Sequence, residues 1–224
     1  MLKYSEINGA YLTLWERFKA VAEEAGLVTK AFQGNGFVAT NKDKKVTVSA
    51  FIYLPEWPYK AVSDKKKIHI LLQSRETYDL KTSEIISSTV QIGYFDIGAN
   101  KEVTSLLQLH YDFETPVAIA HPVFHVQLGT TKWPEDKCMD VRFPNPNEII
   151  ESSSLYSNAR IPTPHMGFGA ALLALAADHF NHLFYEKFLK ELRQNESVKW
   201  QASCKSMRDS FSKNGSHHHS HHWY

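Results

Sequence analysis

Cysteine is almost missing from this chain of 224 residues: it has two, Cys138 and Cys204, and no CxxC pair. A disulfide framework is therefore excluded, a thiolate zinc site has no ligands at the right spacing, and a reduced compartment is the simpler setting. Long apolar runs are lacking too. The richest stretch, around 170–177, is far too short to cross a bilayer, and the N-terminal MLKYSEINGAYLTLWERF holds no signal-peptide core. The expectation is a soluble, cytoplasmic protein with no membrane partner. Charge of one sign is also missing, since 25 Lys and Arg against 24 Asp and Glu leave a net +1. A protein that coats DNA is far more basic, although a local patch can still meet nucleic acid. There is no Walker loop, no GxGxxG, no GxSxG elbow and no HExxH. These gaps argue against nucleotide-driven work and α/β-hydrolase chemistry, and no cofactor or bound metal is expected.

What is present is ordinary globular composition, 43% hydrophobic and 22% charged, in a length that suits one domain. That domain is expected over 1–213. The tail 214–224, NGSHHHSHHWY, carries five of the twelve histidines and is expected to be a disordered extension. Residues 12–25 repeat apolar side chains every three or four positions (Leu14, Trp15, Phe18, Val21, Ala22, Ala25) and stop at Gly26, which predicts a helix. The period then falls to two. Val46, Val48, Ala50, Ile52 and Leu54 mark one strand and Ile68, Ile70 and Leu72 the next. Segments 84–95, 103–114 and 122–128 continue the alternation. Short gaps between strands predict an antiparallel meander. Residues 129–159 read as a long loop with a short edge strand at 140–143. Thr163-Pro164 resembles a helix start, and Leu172, Leu173, Ala176, Phe180, Leu183, Phe184 and Phe188 give an apolar stripe that runs toward Asn195 as one helix or breaks on the way, with a further helical piece over 198–211. The fold class expected is α+β: a curved antiparallel sheet of five to seven strands with an N-terminal helix and a long C-terminal helix packed on it.

Chemistry concentrates on one strand face. In 103–114, Leu107, Leu109, Tyr111 and Phe113 alternate with Gln108, His110, Asp112 and Glu114; in 122–128, His125 and Gln127 share the polar phase. If the two segments pair across 115–122 in a near-symmetric register, His110 faces His125, Gln108 faces Gln127, Asp112 faces Val123, and Glu114 lies beside His121. A two-residue shift would keep the faces and slide the partners. Two imidazoles can divide acid and base roles, a carboxylate orients one of them, and an arginine can hold a phosphate through two hydrogen bonds. Arg160 in ARIPTPH suits the last role, with His165 at the predicted helix start where backbone N–H groups favour an anion.

The same face has a plain structural explanation, because an exposed strand face carries polar residues in any case. His121-Pro122 also suits a turn, and Arg160 also suits an anchor for the loop. His110, Asp112 and His125 could alternatively hold a metal. Asp178, His179 and His182 lie at helical spacing and read as a solvated helix side, while Trp57, Trp133 and Trp200 read as packed rather than as base-stacking platforms.

The strings LHYDFE, HPVFHVQLG and ARIPTP, followed by an apolar helix, resemble the bacterial family catalogued as domain of unknown function 2290. There a strand of the type R/H-x-D precedes H-P-x-x-H, then R-I-P, then a C-terminal helix. The likeness spans about residues 103–190 and is one of motif order. It would carry over Asp112, His121, Pro122, His125, Arg160 and Pro162; where the family often has a small hydroxyl residue before the last histidine, this chain has Phe124. Similar His/Asp-rich hairpins occur in toxins of toxin–antitoxin and phage-defence loci. By that analogy the chain would be a nuclease-like effector with RNA as substrate and an antitoxin or another defence protein as partner. The function expected first is metal-independent, RNase-like cleavage, with His110 and His125 as acid and base, Asp112 as orienter, Arg160 on phosphate, and Glu114, His121 and His165 assisting binding. A non-catalytic subunit that docks a defence partner through 129–159 is the alternative, and a metal-dependent hydrolase stands below it.

Overall fold

A computed structural model describes residues 3–27, 38–58, 67–82, 84–114, 125–129, 132–151, 160–162 and 167–194; at Glu84, Phe113, Glu114, His125, Arg160–Pro162 and residues 192–194 it describes the backbone alone. Helix α1 (Tyr4–Glu24) starts earlier than its apolar period suggested. Glu6 reaches back to accept the Lys3 backbone N–H at 2.9 Å, so the first turn is satisfied at its start. Just past its end, Gly26 turns the chain with a φ of 71°, which is cheap for glycine.

The strands are β1 (Val38–Lys42), β2 (Lys45–Pro58), β3 (Lys67–Asp79), β4 (Glu84–Ile97), β5 (Val103–Glu114), β6 (His125–Leu128), β7 (Ile150–Glu151) and β8 (Arg160–Pro162). Seven of them form one antiparallel path in the order β1-β2-β3-β4-β5-β6-β8, while β7 pairs in parallel with β5 through Thr104↔Ile150 and Ser105↔Glu151. The α+β class and the meander are as expected. Strand β1 was not foreseen; it pairs with β2 through a two-residue turn at Asp43-Lys44, both at positive φ.

Each face of the sheet has its own apolar cluster. On one, α1 packs with α3 (Phe168–His179) and α4 (His182–Gln194) over the alternating residues of β2, β3 and β4. Phe18 is its hub, fully buried and stacked on Trp57 and Phe180 with Phe188 edge-on. On the other face a smaller cluster joins Tyr53, Leu71, Phe95 and Val103 to Trp133, Cys138, Val141 and Phe143.

Three expectations need correction here. Residues 140–143 are not an edge strand. Helix α2 (Glu135–Asp140) follows Pro134, with Glu135 and Asp136 complementing its first turn and Cys138 turned into the second cluster. The long C-terminal helix is two helices, parted at Phe180, which is extended (φ −81°, ψ 150°), and at Asn181, whose Oδ1 accepts the Phe184 N–H at 3.1 Å and so starts α4. His179 is buried rather than solvated: its Nδ1 lies 2.9 Å from the Pro58 carbonyl and its ring meets Trp57 edge-on. Trp57 and Trp133 are packed, at 2% and 5% exposure. Thr163, Pro164, Trp200, the segment 198–211 and the tail 214–224 lie outside the described residues.

Candidate functional site on the second sheet face

A bulge in β5 decides which residues reach the site. Between Tyr94↔Leu107 and Phe95↔Ser105 the register shifts, so one residue of β5, Leu106, has no partner on β4. Val103 and Ser105 thereby share a face with Gln108, His110 and Asp112, although their numbers differ in parity. Gln108, expected on an open polar surface, is instead buried at 4% exposure. Its amide donates to Ser105 Oγ (3.1 Å) and to Glu151 (3.2 Å) and accepts from Trp133 Nε1 (3.0 Å). It is a clamp that fastens β5 to β7 and to the segment entering α2. Leu107, expected in a core, is 44% exposed, because the helices cover β2–β4 more fully than this end of β5.

Beyond Gln108 the face turns polar. Residues that are Cα partners across the strands form two neighbouring rows. One runs Phe51, Gln73, Gln91, His110, Gln127, Arg160, and the next runs Ser49, Arg75, Thr89, Asp112, His125, Pro162. The expected pairing of His110 with His125 is therefore corrected by two residues: His110 faces Gln127, and Asp112 faces His125. The shift preserves the faces, as the period of two demands. It also replaces an imidazole pair with an imidazole opposite a carboxylate position.

The register brings His110, Asp112, His125 and Arg160 to one patch spanning three adjacent strands. His110 and Arg160 stand in the same row two strands apart, about 10 Å between backbones at ordinary strand spacing. Glu114 continues the polar phase opposite Ser87. His121 and His165 lie outside the described residues. Partial burial pulls the His110 imidazole below its ordinary pKa, with Asp112 pulling it back up. His110 is thus biased toward the neutral form, which can accept a proton. Its Nε2 is buried without a hydrogen-bond partner among the described residues, and so are Gln73 Oε1 and Gln91 Oε1 in the same row. Among the described residues no group of three or more His, Cys, Asp and Glu could hold a metal ion. The Cys138 thiol is inert here: burial, with Asp136 and Glu135 nearby, pushes it up to about 12.

Sequence reasoning passed over one group on the opposite face. Glu76 is completely buried beneath α1 and the start of α3. One carboxylate oxygen accepts both the Tyr11 hydroxyl (2.5 Å) and the Phe168 backbone N–H (3.1 Å), and Tyr11 in turn meets the Tyr78 hydroxyl at 2.6 Å. Burial raises Glu76 from the ordinary 4.5 to about 7. The signal was available in β3, where Ile68, Ile70, Leu72, Ser74, Glu76 and Tyr78 share one phase.

Comparison with models of known protein families, with curated proteins and with solved structures finds no match. Among the described residues no helix is long and apolar enough to cross a membrane.

Proposed function

We propose that the chain is a metal-independent, RNase-like enzyme whose site is the patch His110–Asp112–His125–Arg160. The observation that carries this reading is the register across β5, β6 and β8, which gathers all four positions on one sheet face. His110, biased toward the neutral imidazole, takes the proton of a ribose 2′-hydroxyl. The freed 2′-oxygen bonds to the adjacent phosphorus, and the bond from phosphorus to the 5′-oxygen of the next nucleotide breaks. His125, whose position opposes Asp112, gives its proton to that departing oxygen. Arg160 holds the phosphate and the charge that grows on it. The products are a 2′,3′-cyclic phosphate and a free 5′-hydroxyl. Glu114 continues the polar phase beside the patch, and His121 and His165 are assigned to substrate binding in this reading. The likeness to the domain of unknown function 2290 pattern fits this reading, and a toxin-like effector held in check by an antitoxin or another defence protein is its proposed setting.

The test is cleavage of single-stranded RNA in excess EDTA. His110→Ala, His125→Ala and Arg160→Ala should each lose on the order of 100-fold or more in rate, with melting temperatures close to wild type. Because His110 is pulled below the ordinary imidazole pKa, the acid limb of the rate profile should lie at lower pH than a free imidazole would give. Variants that unfold, or activity that requires an added metal, would sink the reading.

One observation favours a second reading, a non-catalytic subunit that docks a defence partner. Leu106, Leu107 and Ile150 are 41%, 44% and 48% exposed, and the β5–β7 pairing sets them near one another. On that reading the RNA assay stays silent, and Leu107→Asp abolishes capture of the partner.

A further inference from the structure

The row that leads into the proposed cleavage site contains more hydrogen-bonding capacity than the protein uses. Gln73 on β3, Gln91 on β4 and His110 on β5 are successive Cα partners, so their side chains emerge side by side at intervals of about 5 Å. All three residues are partly exposed, yet Gln73 Oε1, Gln91 Oε1 and His110 Nε2 are buried atoms without a partner among the described residues. A buried polar atom left unpaired is destabilising, and three in one row on three neighbouring strands are not a chance of surface composition. Gln108, two residues before His110 on the same face, is the contrast: both ends of its amide are engaged.

We propose that Gln73 and Gln91, with His110 at their end, form a nucleobase subsite that selects bases carrying an exocyclic amino group. The proposal rests on the RNA-cleavage reading of the adjoining patch. A glutamine amide places an acceptor and a donor in one plane and can match the edge of a base through two hydrogen bonds. The unmet groups are the two amide oxygens, so the ligand must bring donors. Adenine and cytosine present an amino group; uracil offers a single ring N–H and otherwise acceptors, which would leave the oxygens opposed. The layout along the row suits one nucleotide. The base lies over Gln73 and Gln91, its ribose comes beside His110, and its phosphate extends toward Arg160, three strands beyond Gln91. At the far end Phe51, edge-on to Trp133, closes the row with an apolar wall.

The experiment measures binding of short 2′-O-methyl oligonucleotides of A, C and U, which cannot be cleaved, to the full chain and to Gln73→Leu/Gln91→Leu. The expected result is at least ~10-fold tighter binding of the A and C strands than of the U strand, because a site left with unpaired acceptors rejects the wrong base. The double variant should lose that preference. Its melting temperature should equal the wild-type value or exceed it by up to about 4 °C, since two unpaired acceptors are removed. Cleavage of poly(U) by the variant should continue. Equal binding of all three strands, or a preference that survives in the double variant, overturns the subsite and leaves the cleavage reading standing if EDTA-treated wild type still cuts RNA. A melting temperature lowered by ten degrees or more shows the glutamines to be structural and overturns it as well. Wild type that neither binds nor cuts RNA removes the cleavage reading and the subsite with it.

Discussion

The two faces of the sheet handle buried polar groups in opposite ways. Beneath the helices, Glu76 is surrounded by apolar side chains, and one of its oxygens ties α1 to the first turn of α3 through Tyr11 and Phe168. Even there its other oxygen and Ser74 Oγ lack partners, but the group as a whole joins elements that would otherwise meet through hydrocarbon alone. On the second face the apolar cover stops at Gln108. Past that point Gln73, Gln91 and His110 present atoms that none of the described residues engages. The helix face uses polarity to fix geometry, whereas the second face leaves it available. A face of the latter kind is where a ligand can replace what folding left unmet.

The contrast can be broken most violently in the helix-side core. Phe18→Ala removes the ring that stacks on Trp57 and Phe180 and should cost about 3–5 kcal/mol in denaturant unfolding. A loss near zero would mean that the helices do not need this hub.

Glu76 sharpens the comparison through pH. Its folded pKa, about 7, lies above the ordinary 4.5, so between these values the folded protein binds more protons than the unfolded chain. The stability it contributes is fully present below pH 4.5 and is lost as pH rises through 7. The span corresponds to at most about 3 kcal/mol at 1.36 kcal/mol per unit. Glu76→Gln should flatten the unfolding free energy over pH 5–8, and a slope unchanged in this variant would remove the buried acid from the account.

On the second face, Gly93→Ala should cost about 1–3 kcal/mol. A methyl group there would come within 2.6 Å of the Phe95 ring and 2.7 Å of Trp133, forcing apart the packing that holds the 133–143 segment down. Retained stability would show that this cover yields easily.

Much of the sheet is legible in alternation alone. Val46 to Leu54 and Ile68 to Leu72 identify both strands and their buried side. Alternation fails where one residue is added, because a bulge reverses parity without leaving a mark in composition. That is why Val103 and Ser105 join the face of Gln108 and His110, while Gln108 and Leu107 keep their faces and differ from expectation only in how much covers them. Register is equally hidden: face parity allows His110 to oppose either His125 or Gln127, and nothing in the alternation chooses between them. Strand β1, VATNK, is almost wholly exposed and so has no apolar phase to detect. The break at Phe180-Asn181 is masked by a stripe that stays apolar on both sides, and Asn181 alone hints at a new start. Asp112 and His125 were recognisable as neighbours by face, and their direct opposition required the structure.

The most direct test of the proposed chemistry is the nature of the ends it leaves. A defined RNA treated with the EDTA-stripped protein should yield a 2′,3′-cyclic phosphate and a 5′-hydroxyl, and replacing the single ribose at the cut by deoxyribose should block that cut completely. Cleavage that tolerates the deoxyribose, or that leaves a 5′-phosphate, would contradict attack by the 2′-oxygen and with it the assignment of His110, His125 and Arg160.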